Sequence, residues 1–314
     1  MKITIGIDLG GSTTKIVGFQ DNELKIPTFV KADNPIASLF GALGKFIYDN
    51  NIQLTEIEKI MITGVGSAYV EQSLYGIPTY KVNEFICNGL GGQHFTGLKD
   101  LIVVSMGTGT SLVQVNGDKI AHTGGIGIGG GTILGLSSLL LKTQDIGQIM
   151  DLASRGDLNN IDLKIQDISK APLTGLPLTA TASNFGKVRS FVSEEDTAVG
   201  IINMVLQTIG KSAILSSLNS SINNFVMIGN WQNSLSAKGF SSLWRRCLMS
   251  ISSYRTWRNT LLPSVQRSQR SATWRWCRFF DPIFKGHLVS LMPLENRMVF
   301  LTSLKIDYLW SVGH

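Results

Sequence analysis

Two short runs share one design. GIDLGGSTTKIV at residues 6–17 and VVSMGTGTSLVQV at 103–115 each read as a strand, a glycine turn and a returning strand. Glycine lets backbone N–H groups approach phosphate oxygens without a Cβ in the way. In the first run Asp8 closes the strand just before Gly10 and Gly11. A carboxylate there can hold Mg²⁺ through water, because Mg²⁺ dehydrates reluctantly and takes one or two carboxylates along with phosphates. Ser12, Thr13 and Thr14 add hydroxyl donors, and Lys15 offers a charge for the β- or γ-phosphate. The plainer alternatives are a turn aspartate that satisfies local backbone and a solvated strand lysine.

In the second run Gly107, Thr108 and Gly109, followed by Thr110 and Ser111, form an opposing cradle. Further on, GGIGIGGGTILGL (124–136) leads a glycine-rich turn into an apolar helix. Helix starts attract anions, and glycines there also permit close packing of helix on strand. Both roles are expected, with Gly129, Gly130 and Gly131 nearest the ligand. Phosphoryl transfer asks for alignment, charge neutralisation and a group that takes the proton of the attacking hydroxyl. Glu84, in YKVNEF, is the candidate base. It follows a strand at 79–82 and opens a helix, where the dipole alone also favours a glutamate. Residue type does not separate these two readings.

The elements that must carry these residues alternate strand and helix. Residues 3–8 and 14–19 form a hairpin, and 36–48 has helical apolar spacing opened by Asn34 and Pro35. A strand is expected at 59–65, a helix at 84–95, and strands at 101–106, 111–115 and 224–228. A helix is expected at 198–215. Two strand–turn–strand units about a hundred residues apart imply two related lobes closing on one nucleotide.

Composition narrows the classes. Charged residues are 16% and apolar residues 43%, as in a folded chain. Three cysteines, Cys87, Cys247 and Cys277, show no metal-binding spacing, which fits a reducing cytoplasm. The first residues contain too short an apolar stretch for a signal peptide, and no run of 18 apolar residues occurs. Neither a membrane nor a nucleic-acid partner is expected.

GIDLGGSTTKIV, VNEF followed by NGLGG, SMGTGTSL, GGIGIGGGTILGL, GDLNNIDLKI and LTATASNFGKV occur in the order seen in type II pantothenate kinases. Over about residues 1–230 the chain resembles that family. The first and third motifs are shared across the actin-like superfamily, whereas NIDLKI (160–165) with TASNFGKV (181–188) is more specific. The resemblance implies a two-lobed α/β, actin-like (ribonuclease H-like) fold, with lobes at 1–98 and 99–230. It implies transfer of the ATP γ-phosphate to the primary hydroxyl of pantothenate, with ATP and Mg²⁺ as cofactors, in a cytoplasmic homodimer. Glu84 then becomes the base. Asp8, Gly10, Gly11 and Lys15 match the first phosphate segment, and Thr108 within GTGTS matches the second phosphate and substrate segment. Gly229 starts the adenosine-side loop. The family's interface uses a long helix of the second lobe, and 198–215 is a candidate. His122 stands where many relatives carry a substrate-contacting arginine, and it lacks the arginine's permanent bidentate charge. Thr179 stands where relatives often carry an aspartate.

Residues 231–314 differ in kind. Residues 1–230 hold 16 basic and 19 acidic residues, a net charge of −3, while 231–314 hold 12 and 3, a net +9. All six tryptophans and nine of eleven arginines lie after residue 230, and all but three of the 33 glycines lie before it. An actin-like second lobe still needs a helix, a strand and a closing helix there, so this lobe reads as incomplete. A shift of reading frame near codon 230 accounts for the break. Back-translating residues 257–265 and reading one base earlier permits MAEYATAVG, and the same offset at Trp231 permits LAKLP, both family-like. The alternative is an unusual basic C-terminal domain. Competing functions are another actin-like kinase or ATPase, such as a sugar kinase or a dehydratase-activating ATPase, and a non-catalytic nucleotide- or coenzyme-A-binding relative.

Overall fold

The computed structural model describes residues 2–11, 13–20, 23–31, 34–170, 177–188, 191–218, 220, 222–229 and 298–301. Ser12, Asn230 and almost all of the basic segment, including the stretches used for the frame argument, lie outside the described residues.

The first sheet is built from β1 (Ile3–Leu9), β2 (Thr13–Gln20), β3 (Glu23–Leu24) and β4 (Thr28–Lys31), then β5 (Ile57–Thr63) and β6 (Thr79–Lys81). Its path is β3-β2-β1-β5-β6, with β4 also pairing β2. β1 is buried along its whole length, as a central strand with neighbours on both faces must be. Ile3, Ile5, Ile7 and Leu9 join one core with Leu39, Leu43 and Phe46 of helix α1 (Pro35–Asp49). Asn34 caps α1 by accepting from the Ala37 N–H, and Pro35 occupies the first turn, as the sequence predicted. The intervening residues Gly6 and Asp8 point to the opposite face, since side chains alternate along a strand. There Val17 and Met61 pack on Cys87 of helix α2 (Glu84–Thr96).

The second sheet contains β7 (Asp100–Met106), β8 (Thr110–Asn116) and β9 (Lys119–Ile126). Helices α3 (Gly130–Leu140) and α4 (Ile146–Arg155) follow, then the short β10 (Leu163–Lys164), α5 (Ile165–Ile168) and β11 (Thr181–Ser183). α6 (Glu194–Ser216), β12 (Phe225–Gly229) and β13 (Met298–Leu301) complete the order. The sheet path is β13-β12-β7-β8-β9. In both sheets an antiparallel hairpin lies beside two strands that add parallel to its first strand. The second sheet therefore repeats the strand order of the first.

Three expectations need adjustment. β5 ends at Thr63 rather than residue 65, because Gly64 turns the chain with φ +89°. The α6 helix is longer than 198–215 and is a core helix: Ile201, Ile202, Val205, Leu206 and Ile209 pack in the main cluster of the second lobe. Among the described residues only α6 is long and apolar enough to cross a membrane, and 72% of that stretch is buried inside the protein. Finally, the second sheet has an edge strand that the sequence pattern does not announce. β13, from the basic segment, pairs parallel with β12 at the fifth sheet position.

Candidate phosphoryl-transfer site

The first turn concentrates charge. Asp8 and Lys15 face each other across the β1–β2 ladder, and the Lys15 Nζ donates to Asp8 Oδ2 at 3.0 Å with both side chains largely shielded from water. The turn between them is closed by the Gly10 N–H donating to Thr13 O at 2.9 Å. Gly11 faces open space: a Cβ there would meet only Val65 Cγ2, at 3.9 Å. A second glycine loop, not expected from the sequence pattern, supports this corner. A Cβ on Gly64 would stand 2.7 Å from Asp8 Oδ1, and one on Gly66 2.6 Å from the Leu9 side chain. The signal was present as the glycines of TGVGS directly after a parallel strand.

The second turn carries no charge and is bolted to a helix. The Gly107 N–H donates to Gly109 O, the Gly130 N–H to Gly107 O and the Gly131 N–H to Thr108 O, at 2.8, 2.8 and 2.9 Å. Thr110 Oγ1 donates to Ile128 O at 2.8 Å. A Cβ on Gly129 would lie 2.7 Å from both Gly109 C and Thr108 O, and one on Gly131 2.7 Å from Thr108 Cγ2. These glycines seat the loop on the start of α3. The Gly130 and Gly131 N–H groups both donate to loop carbonyls, which is the close-packing role expected of these glycines. Gly229 joins the same corner: it pairs with Met106, the residue before the loop, at φ +150°, where any Cβ would collide with Met106 O.

Glu84 is the first residue of α2, half-buried, directly after the cap Asn83, whose Oδ1 accepts from the Phe85 and Ile86 N–H groups at 2.8 and 3.3 Å. Phe85 stacks on His122 of β9, with ring centroids 3.8 Å apart and planes 7° from parallel. His122 thereby stands beside the turn that carries Glu84, held by its ring face. α2 also lays Gly89 against Val115 and Ile120, and Gly92 against Leu101 and Val103 of the second sheet, while Cys87 meets the first. The helix bearing the candidate base is the element wedged between the two sheets.

The motifs specific to the family lie elsewhere. NIDLKI and TASNFGKV are drawn together by Asp162, which accepts from the Phe185 N–H, Asn184 Nδ2 and Asn203 Nδ2 at 2.9, 3.2 and 2.6 Å. Burial pushes the Asp162 carboxyl above its ordinary range, against the pull of those three donors. Asp196, at the start of α6, is also desolvated. The Asp157 N–H, the Asn160 amide and Ser193 outweigh that burial and hold it below the ordinary range.

Among the described residues no three His, Cys, Asp or Glu side chains converge as a metal site. Asp8 is a single shielded carboxylate at the first glycine turn, the kind of donor that Mg²⁺ takes together with phosphates and water.

A family model described as Fumble matches residues 98–238. The chain is 33% identical over 235 residues to a type II pantothenate kinase of Staphylococcus aureus (strain USA300), covering 72% of this chain and 84% of that protein. Among solved structures it resembles component A of the (R)-2-hydroxyglutaryl-CoA dehydratase of Acidaminococcus fermentans, with TM-score 0.52 and 14% identity, over 79% of this chain and 90% of that one. It also resembles the activator of the 2-hydroxyisocaproyl-CoA dehydratase from Clostridium difficile, solved with bound ADPNP, with TM-score 0.52 and 12% identity, over 85% and 99%. The structural likenesses establish the two-lobed actin-like fold. The sequence likeness goes further, and by it the chain belongs to the type II pantothenate kinase family.

Proposed function

We propose that the protein transfers the γ-phosphoryl group of ATP to the primary hydroxyl of pantothenate. The observation that carries this reading is the placement of Glu84 at the start of the helix that packs on the second sheet and meets the first through Cys87, between the sheets that bear the two glycine turns. When bound, ATP supplies the phosphoryl group and Mg²⁺ offsets its charge. Asp8 would hold the metal through water, and Lys15 would bring positive charge to the phosphates. Gly10, Gly11, Ser12 and Thr13 would wrap the phosphates from the first lobe. Gly107, Thr108 and Gly109 would do so from the second, with Gly129–Gly131 shaping that loop and Gly229 beginning the adenosine side. Glu84 accepts the proton of the pantothenate hydroxyl as its oxygen bonds to phosphorus. His122, beside that turn, contacts the acceptor. Lobes at 1–98 and 99–230, a cytoplasmic location and a homodimer belong to the same proposal.

Residues 231–314 are assigned to a shifted reading frame. The charge and tryptophan break at residue 230 supports this; the family match ends a little further on, at residue 238. β13 does not oppose it, because backbone pairing at a sheet edge accepts almost any short apolar run such as MVFL. On this account the chain as written turns over weakly, and resequencing the gene to find an intact frame lacking those codons would sink the assignment. The function itself is tested by ADP release from ATP with pantothenate, with glucose and with no acceptor. The expected result is release dependent on pantothenate; release driven by glucose, or equal without acceptor, contradicts it.

A further inference from the structure

Asn88 is 1% exposed, and neither its Nδ2 nor its Oδ1 has a hydrogen-bond partner among the described residues. An orphaned buried amide destabilises the fold, so such groups in folded proteins are rare and call for a reason. Leucine has nearly the same shape and would carry no such cost.

Its position on α2 supplies the reason. Each residue advances about 100° around a helix. Phe85, Gly89 and Gly92 define the side of α2 that meets the second sheet, and Cys87 the side that meets the first. Glu84 and Asn88, one turn apart, fall between those two directions, on the strip that looks along the seam of the lobes. Residues four apart share a helix face, with Cβ atoms about 5–6 Å from each other. Helical side chains also lean toward the N-terminus, so the Asn88 amide leans over the turn that carries Glu84.

We propose that Asn88 is a positioning residue for Glu84: in the ligand-bound site its Nδ2 donates to the Glu84 carboxylate and fixes the oxygen that receives the proton. Hydrogen bonds among catalytic groups commonly tighten only when substrates are bound. The near-total burial of Asn88 excludes direct contact with the acceptor, so it acts through Glu84. The inference rests on the reading of Glu84 as the base.

The test has two parts on the full chain. Asn88→Leu should leave thermal stability equal or higher and KM for ATP within twofold, while kcat falls about 10- to 100-fold, the scale of a small misplacement of a reacting group. Asn88→Gln, which keeps the donor, should regain part of the loss. An unchanged kcat per folded protein in Asn88→Leu overturns the proposal, as does a marked loss of stability, which would mean that the amide is held by the protein fold. The second part is a crystal structure of the wild type with a non-hydrolysable ATP analogue, Mg²⁺ and pantothenate. Asn88 Nδ2 within hydrogen-bond distance of a Glu84 oxygen supports the proposal; an amide turned to any other protein group overturns it, even if the variant fails to fold. Absence of pantothenate phosphorylation by the wild type would instead refute the proposed function, leaving the Asn88–Glu84 geometry to be decided by the structure alone.

Discussion

The two glycine turns look alike in sequence and differ in physics. The β1–β2 turn places a buried acid and a part-buried lysine 3.0 Å apart at its base and leaves Gly11 facing open space. The β7–β8 turn has no charged residue, and its backbone is tied at Gly107 and Thr108 to the first N–H groups of α3. One turn manages charge; the other sets shape. A nucleotide triphosphate held between them needs both, because its metal and phosphates must be neutralised on one side and aligned on the other. Glu84 belongs to neither turn and stands on the helix between the sheets.

That division of labour can be broken from the centre outward. Glu84→Gln should lower kcat by about 10²- to 10⁴-fold, the range for losing a general base, with nucleotide affinity within twofold by titration. A comparable loss of affinity would return Glu84 to a structural role. Next, Asp8→Asn strands the shielded Lys15 charge and should cost about 3–5 kcal/mol of stability in denaturant unfolding. Asp8→Asn with Lys15→Met should recover stability but not turnover. If it recovers both, the first turn's charge is structural.

The glycines separate the turns more finely. Gly129→Ala forces a Cβ to within 2.7 Å of the second loop's backbone, an overpacking expected to cost about 1–3 kcal/mol. Gly11→Ala has room and should change stability by less than about 0.5 kcal/mol, while interfering with phosphate binding. Equal stability losses would erase the contrast. The smallest effect concerns the carboxylates behind the second turn. Asp196, held below its ordinary range, contributes stability that is present above the unfolded carboxylate pKa of about 3.9 and is lost as pH falls through its lower folded value. Asp162, held above its range, does the reverse: its contribution is present below the unfolded value and is lost as pH rises toward the raised one. Melting curves of Asp196→Ala should therefore show a flatter acid limb than the wild type.

Much of this arrangement was legible in the sequence because it is local. Asn34-Pro35 announces α1, Glu84 directly after a strand announces α2, and glycine clusters mark both turns, each through chemistry that acts within four residues. What escaped was long-range. The sequence does not disclose that the Gly130 and Gly131 N–H groups are spent on residues 107 and 108, because that depends on how a helix start meets a loop some twenty residues earlier. The Phe85–His122 stack joins two elements whose meeting requires the whole second sheet to be in place. The sequence pattern places Gly64 in a strand, since nothing in its own residue type reveals the close approach to Asp8 and Leu9 that sets its φ. Asn88 opens the NGLGG motif, but an asparagine gains individual meaning only from burial without a partner.

The claim that two unlike turns serve one nucleotide is tested most directly by a crystal structure with a non-hydrolysable ATP analogue and Mg²⁺. The account predicts the phosphates between residues 10–13 and 107–109, with the metal on the Asp8 side and Glu84 facing the terminal phosphate. A nucleotide bound to one turn alone, or with its metal away from Asp8, would contradict it.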